Sequence, residues 1–315
     1  MIDAALSAIE EWSAAGDASA LATVIKVNGS APRGPGAKLA VRADGTMAGS
    51  VSGGCVEGDV LEQSLAVLKD GEPRLLHYGI SDELAMGVGL MCGGEIDVVI
   101  EPVDDALIAY AAAAEREERV SRNLPLSDFV DVTAPPPRLW VIGGGHVAEN
   151  VVAVGERAGF SPRVIDPRRI FADQNRFGDV PVRVDWPDRA FAEVQLGDSD
   201  YIVVLSHDPK IDQPALAAAL AADVAYVGAI GSSKAQADRR ERLLAAGITE
   251  EQLAKLHAPI GLPLGGRQPG EIAVAIVGQL ISIRHAGAKG SKASNGTKAT
   301  AGSKANSGSK PAKSS

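Results

Sequence analysis

Apolar residues recur at helical spacing at the start of the chain, at Ile2, Leu6 and Ile9, and predict a helix that Gly16 stops. The run Leu21-Ala-Thr-Val-Ile-Lys-Val27 predicts a strand. A glycine and proline loop follows, Gly29-Ser-Ala-Pro-Arg-Gly-Pro-Gly36, and then a strand from Lys38 to Arg42 that turns at Asp44-Gly45. Beyond a second glycine loop, Val60, Leu61, Leu65 and Leu68 mark one face of a helix over Val56–Asp70, with Gly71 as its stop. Short strands at Arg74–Tyr78 and Ile96–Ile100 complete an α+β unit, whereas Val103 to Val132 is charged and short of apolar pattern.

Three consecutive prolines then break the chain at Asp131-Val-Thr-Ala-Pro-Pro-Pro137, a stiff extended stretch that neither helix nor central strand accepts. From Arg138 strands and helices alternate. Strands are predicted at Leu139–Ile142, Arg163–Asp166, Val182–Val184, Tyr201–Leu205 and Ala225–Ile230. Helices are predicted through Val154, around Leu216–Ala221 and through Leu244. Continuous apolar strands such as Tyr-Ile-Val-Val-Leu indicate a parallel sheet covered on both faces. Thr249-Glu-Glu-Gln252 reads as a capping box, and Gly270 to Arg284 as a last amphipathic helix. The organisation expected is a domain over residues 1–132, a linker at 133–137, a second domain over 138–285 and a tail over 286–315. That tail has almost nothing apolar larger than alanine, so it is expected to be disordered.

Charge narrows the ligand class. The chain has 31 Lys and Arg against 40 Asp and Glu, a net charge of −9, and setting aside the six tail lysines leaves −15 over residues 1–285. So acidic a surface repels phosphodiester backbones, which excludes nucleic acid as partner of the folded part and leaves small ligands. The most apolar stretch, Ile272 to Ile283, is too short for a membrane span. Two cysteines and an N-terminus without a signal-peptide pattern lead to the expectation of a cytoplasmic protein.

The chemistry lies in the glycine loops. Gly143-Gly-Gly145-His-Val-Ala148 follows a strand and opens a helix, fitting G-x-G-x-x-A. Gly143 allows a tight turn, Gly145 lets a pyrophosphate approach the backbone, and Ala148 keeps the helix close to the sheet. The second strand ends in Asp166, where a ribose-binding acid belongs. A Rossmann-like, doubly wound site for NAD(P) or another nucleotide is the reading; the alternative is a fold whose site is vestigial or holds a different anion. Arg168 and Arg169 leave open whether a phosphorylated cofactor is meant. His146 either contacts the ligand or is an exposed polar residue, and His207, after the strand Tyr201–Leu205, is the best-placed acid–base group.

In the first domain Gly53 and Gly54 precede Cys55, and Gly93 and Gly94 follow Cys92. Flanking glycines leave a thiol uncovered, and a helix start favours the thiolate. The pair reads as a soft metal site, as a sulfur-carrying site that forms a persulfide, or as two small residues packed in tight turns. Glu57 is placed to orient or deprotonate Cys55, and Arg33 to meet a phosphate or carboxylate.

Taken in order, Gly29-Ser-Ala-Pro-Arg-Gly-Pro-Gly-Ala37, Gly53-Gly-Cys-Val-Glu57, Cys92-Gly-Gly94, Gly143-Gly-Gly-His146, Asp166-Pro-Arg168, Ser206-His-Asp208, Ile230-Gly-Ser-Ser-Lys234, Ala258-Pro-Ile-Gly-Leu262 and Pro269-Gly-Glu-Ile272 resemble the XdhC/CoxI family across nearly all of the chain except the tail. These are accessory factors of xanthine dehydrogenase and related molybdenum hydroxylases. The resemblance implies a maturation factor rather than a metabolic enzyme. It would bind the molybdenum cofactor, as molybdopterin or its dinucleotide form, support its sulfuration by a cysteine desulfurase, and insert it into a hydroxylase subunit. In that setting Cys55 is a candidate molybdenum ligand or sulfur relay, with Cys92 as its partner. Ser233 stands where relatives often have arginine, which weakens any phosphate contact there. An NAD(P)-dependent oxidoreductase and a nucleotide-binding redox sensor are the alternatives, and a homodimer is the base-rate assembly.

Overall fold

The computed structural model describes residues 3–79 and 93–290. The chain divides into two compact units, Met1–Pro136 and Pro137–Ser315.

The first unit runs α1 (Ala4–Ala14), β1 (Ser19–Asn28), β2 (Lys38–Arg42), β3 (Met47–Gly49), α2 (Glu57–Asp70), β4 (Arg74–Tyr78), β5 (Glu95–Pro102), α3 (Asp105–Glu115), β6 (Val120–Asn123) and β7 (Val130–Thr133). Five strands form an antiparallel sheet in the order β3-β2-β1-β5-β4, and β6 and β7 make a separate hairpin. The first six residues of β1 are buried without alternation because helices cover that part of the sheet on both faces. On one face Val60 and Val67 of α2 pack against Ala22, Val24, Val98 and Ile100. On the other, Leu6, Ile9 and Trp12 of α1 meet Leu107 and Tyr110 of α3. Burying each such large side chain stabilises the unit by about 1.5–3 kcal/mol. The segment 103–132 is therefore built, although its apolar pattern is faint. Two of the four buried residues of α3, Ala111 and Ala113, are alanine, and so are the exposed Ala106 and Ala109, which leaves little contrast between its faces.

The second unit runs β8 (Arg138–Ile142), α4 (His146–Arg157), β9 (Ser161–Ile165), β10 (Val182–Arg183), α5 (Pro187–Ala192), β11 (Asp200–Val204), α6 (Pro209–Ala221), β12 (Tyr226–Ala229), α7 (Ser233–Ala245), α8 (Glu250–Leu253), β13 (Leu256–His257) and α9 (Pro269–Gly290). All six strands are parallel, in the order β10-β9-β8-β11-β12-β13. Counted within the unit this is the doubly wound order 3-2-1-4-5-6, whose chain reverses direction between β8 and β11. Val151 of α4 and Ile276 and Leu280 of α9 cover one face, and Phe191 of α5 with Ile211 and Leu216 of α6 cover the other. Several details differ from the sequence expectation, among them the added short helix α5. Helix α6 starts seven residues before Leu216, its first turns masked by Pro209 and Pro214; the two-residue strand β13 is added; and α9 runs on past Arg284 to Gly290. The capping box at Thr249 forms with both of its hydrogen bonds. Among the described residues no helix is long and apolar enough to cross a membrane.

Candidate functional site

In the first unit three glycine loops converge beside β1. The loop Gly29–Gly36 lies between the other two. A Cβ built on Gly94 would fall 2.1 Å from the Ser30 carbonyl oxygen, and one on Gly29 would be 3.4 Å from Gly94 Cα. On its other side Pro32 lies 3.5 Å from the place of a Gly53 Cβ. Only glycine at 94 permits that backbone approach. Arg33, at the tip of this loop, is exposed and makes no hydrogen bond or ion pair among the described residues. Cys92 lies outside the described residues.

Cys55 is half-buried, packed against the core cluster under α2 and just ahead of that helix, and its thiol is free among the described residues. The loop that holds it is organised by Glu57. One carboxylate oxygen accepts from the Ser50 hydroxyl at 2.7 Å and the Ser52 amide at 2.9 Å. The other accepts from the Gly54 amide at 2.8 Å and from the Ser52 hydroxyl. Ser52 Oγ in turn accepts from the amides of Cys55 and Val56, both at 3.0 Å, which ties down the turn that leads into α2. Gly53 and Gly54 take φ of 75° and 113°, the left-handed turn this wrapping requires. Burial opposes ionisation of Glu57, but the hydrogen bonds from Ser52 and Ser50 outweigh it and bring its pKa down to about 2. So acidic a carboxylate is a weak base toward a thiol, and its geometry is that of a positioning residue for Cys55.

A pH dependence follows. A carboxylate whose pKa falls on folding adds stability above its unfolded value of 4.5 and loses that contribution as pH drops toward 2. Glu57→Gln is expected to be less stable than the parent at neutral pH and to decline less across that window. Urea midpoints measured from neutrality down to pH 2 check this.

In the second unit the site is the cleft at the reversal of strand order. Gly143 has φ of 97°, and a Cβ there would meet Ser206 N at 2.7 Å; a Cβ on Gly144 would fall 2.0 Å from Phe171 O. Gly145 is different, since nothing lies within 4 Å of where its Cβ would be. It caps α4 with φ −72° and ψ −178°, angles any residue adopts. Ala148 is fully buried, where a larger side chain would push α4 off the sheet. The open side of Gly145 faces a cleft of about 500 Å³ lined by Gly143, Arg168, Phe171, Ser206 and the exposed His207. His146 is exposed and does not line the cleft.

Asp166 lies one residue past the end of β9 rather than within it as the sequence suggests, and it is fully buried and engaged. It accepts from the Gly144 amide at 2.9 Å and is held by Arg168 through Nε at 2.9 Å and Nη2 at 2.8 Å. Burial resists ionisation here too, and the hydrogen bonds from Arg168 and Gly144 overcome it and lower the pKa. The Arg168 guanidinium stacks on Phe171, its carbon 4.2 Å from the ring centroid. Arg168, weighed in the sequence only as a possible contact for a cofactor phosphate, lines the cleft together with Phe171 and Ser206, which were not singled out as site residues. The spacing Asp-Pro-Arg was the available signal for the first, because a proline between two charged residues turns the chain enough for them to pair. Among the described residues no group of three His, Cys, Asp or Glu could hold a metal ion.

Both units have counterparts among known proteins. The XdhC Rossmann domain matches residues 139–280, and the XdhC and CoxI family matches residues 12–79, together about two thirds of the chain. The chain is 26% identical over 289 residues to the molybdenum cofactor insertion chaperone PaoD of Escherichia coli, covering 85% of this chain and 84% of PaoD. It is 27% identical over 278 residues to the uncharacterized protein YqeB of Escherichia coli, which takes in 84% of this chain but only 43% of YqeB, so the chain spans less than half of that relative. A crystal structure of a xanthine dehydrogenase from Bacillus halodurans superposes with a TM-score of 0.74 at 26% identity, covering 91% of this chain and 96% of that one. The glycine-built turn at the switch point of the parallel sheet and the glycine loops of the antiparallel unit lie in the two units that these family models match, and the chain belongs to the XdhC and CoxI family.

Proposed function

We propose that the protein binds the molybdenum cofactor as cargo, supports its sulfuration by a cysteine desulfurase, and inserts it into a xanthine dehydrogenase-type hydroxylase. The observation that carries the reading is the open flank of Gly145. Its neighbours Gly143 and Gly144 are glycines because the protein itself fills the space, whereas the room beside Gly145 is left for something else, in a cleft fronted by the Arg168 guanidinium. Backbone amides at the start of α4 and a guanidinium suit the phosphate of a pterin.

Cys55 supplies the second half of the chemistry. A molybdenum that arrives already chelated by its pterin needs only one soft ligand from the protein, and a thiol held at a helix start is such a ligand. Glu57, Ser50 and Ser52 keep that thiol in place, and Arg33 stands ready for an anionic group of the cargo. Names of relatives support the same direction, since PaoD is a molybdenum cofactor insertion chaperone.

The test is analysis of protein purified without oxygen from a host that makes molybdopterin. Oxidised-pterin fluorescence together with molybdenum is the expected result, and protein free of both overturns the reading. Cys55→Ala is expected to fold and still carry pterin, while a hydroxylase matured in its presence contains cofactor without the terminal sulfido ligand and loses most of its activity.

A further inference from the structure

We infer that Arg168 is a specificity-determining residue of the switch-point cleft: it occupies the carboxylate that would otherwise read a ribose diol, so the cleft refuses nucleotides of the NAD type and accepts an anionic group that carries no ribose at that position.

Folds with this strand order keep an acid at the end of the second strand, its oxygens free to accept from the ribose hydroxyls. Asp166 has the position but no free oxygen. One oxygen accepts from the Arg168 amide and Nε, both at 2.9 Å, and the other from the Gly144 amide at 2.9 Å and Arg168 Nη2 at 2.8 Å. Four hydrogen bonds fill the acceptor sites of a carboxylate. Arg168 is bound through both backbone and side chain, its guanidinium edge held by Asp166 and its face lying over Phe171, so the pair is preorganised rather than incidental. A diol entering here would have to displace charge-assisted hydrogen bonds and leave a guanidinium to find another partner.

The same arrangement states what the cleft does take. A guanidinium has five N–H donors, and Asp166 uses two of them from the side chain, leaving three. Arg168 lines the cleft alongside Gly145, whose flank is open. Its hydrogen bonds to Asp166, followed by the charges of Asp208 and Asp212, hold it firmly protonated. The cleft therefore offers guanidinium donors and backbone amides, with the Asp208 carboxylate, which accepts from the Lys210 amide, also on its wall; the donors match a phosphate group not attached to a nucleoside. For the identity of the cargo this rests on the function proposed above; for the exclusion of ribose it does not.

NADH is the probe, since it carries two ribose diols and its fluorescence reports binding. The full-length protein is expected to show no saturable NADH binding up to millimolar concentration. Arg168→Met, which keeps the stack on Phe171 but frees the carboxylate, is expected to bind NADH at least about tenfold more tightly, the worth of one hydrogen bond to a charged acceptor. Adding Asp166→Asn to that variant is expected to remove the gain. If Arg168→Met does not fold, as judged by its melting temperature, Arg168→Lys serves, because a single ammonium cannot occupy both oxygens. Saturable NADH binding by the parent protein, or no gain in whichever variant folds, overturns the inference. Pterin and molybdenum analysis of the same parent preparation reports separately on the proposed function: protein that carries pterin yet binds NADH keeps that function and loses this inference, and protein that carries no pterin and refuses NADH does the reverse.

Discussion

Asp131→Ala is expected to destabilise the first unit by about 3–5 kcal/mol, the penalty for stranding a buried charge. Asp131 is 1% exposed and its oxygen lies 2.7 Å from the ammonium of Lys38, itself 5% exposed. Its second oxygen accepts from Arg122 Nε at 3.3 Å, and Arg122 reaches Glu101 at 2.8 Å while lying over the Tyr110 ring. Four charges thus alternate in sign beneath the hairpin of β6 and β7. Without Asp131 the Lys38 ammonium keeps only the Gly36 carbonyl, at 3.0 Å. That carbonyl ends the loop bearing Arg33, so loss of the ion pair also loosens one wall of the thiol site. Lys38→Met combined with Asp131→Leu is expected to recover part of the stability, since no lysine is then left uncompensated, but not all, since Arg122 loses a partner. Arg116→Ala, which removes an exposed pair with Glu118, is the control and is expected to change stability by no more than about 1 kcal/mol. Urea unfolding of the full chain, followed by hydrogen exchange at β2, measures all three; a loss for Asp131→Ala as small as that of the control would mean that the network contributes nothing through burial.

The same network explains part of what the sequence left hidden. The alternating strands and helices after Arg138 were legible because β8, β11 and β12 are almost wholly apolar, as strands covered on both faces must be. The stretch 103–132 carried no such signal. Arg122 and Asp131 look like surface residues until their partners on β5 and β2 are known, Glu101 being 21 positions from Arg122 and Lys38 being 93 positions from Asp131. Very short strands such as β3 and β13 are set by the edges they pair with rather than by their own composition.

At the sites, residue types were readable and their obligations were not. Glu57 beside Cys55 suggested a base, yet the serines at 50 and 52 turn it into the anchor of a loop. Asp166 suggested a ribose acceptor, and only the folding back of Arg168 across Pro167 shows the carboxylate already spent. The glycine run hides a further distinction. G-x-G-x-x-A leaves its second position unspecified, but in this chain Gly144 is the most tightly confined of the three, and Gly145 the least.

That contrast makes the sharpest prediction about ligand binding. Gly145→Asp is expected to weaken retention of the pterin cargo by about a hundredfold or more while leaving the fold intact. Two independent facts separate the effects. The backbone angles at 145 suit any residue and the Cβ meets no protein atom, so the side chain is accommodated. Aspartate is moreover a preferred cap for the start of a helix, so α4 gains a few tenths of a kcal/mol at most and loses nothing. The carboxylate, however, stands where a phosphate would approach the α4 amides. Like charges brought together in a binding site cost several kcal/mol, and each 1.4 kcal/mol is about tenfold in affinity. Gly145→Asn, similar in shape and neutral, is expected to weaken retention far less. Gly144→Ala is expected to do the opposite of Gly145→Asp, lowering the melting temperature because its methyl group is driven into the Phe171 carbonyl, with any loss of pterin following the loss of fold. Pterin content per chain and melting temperature, measured on the three variants side by side, decide the matter: equal pterin content in Gly145→Asp and the parent would remove the α4 turn from cargo binding and leave the loops around Cys55 as its seat.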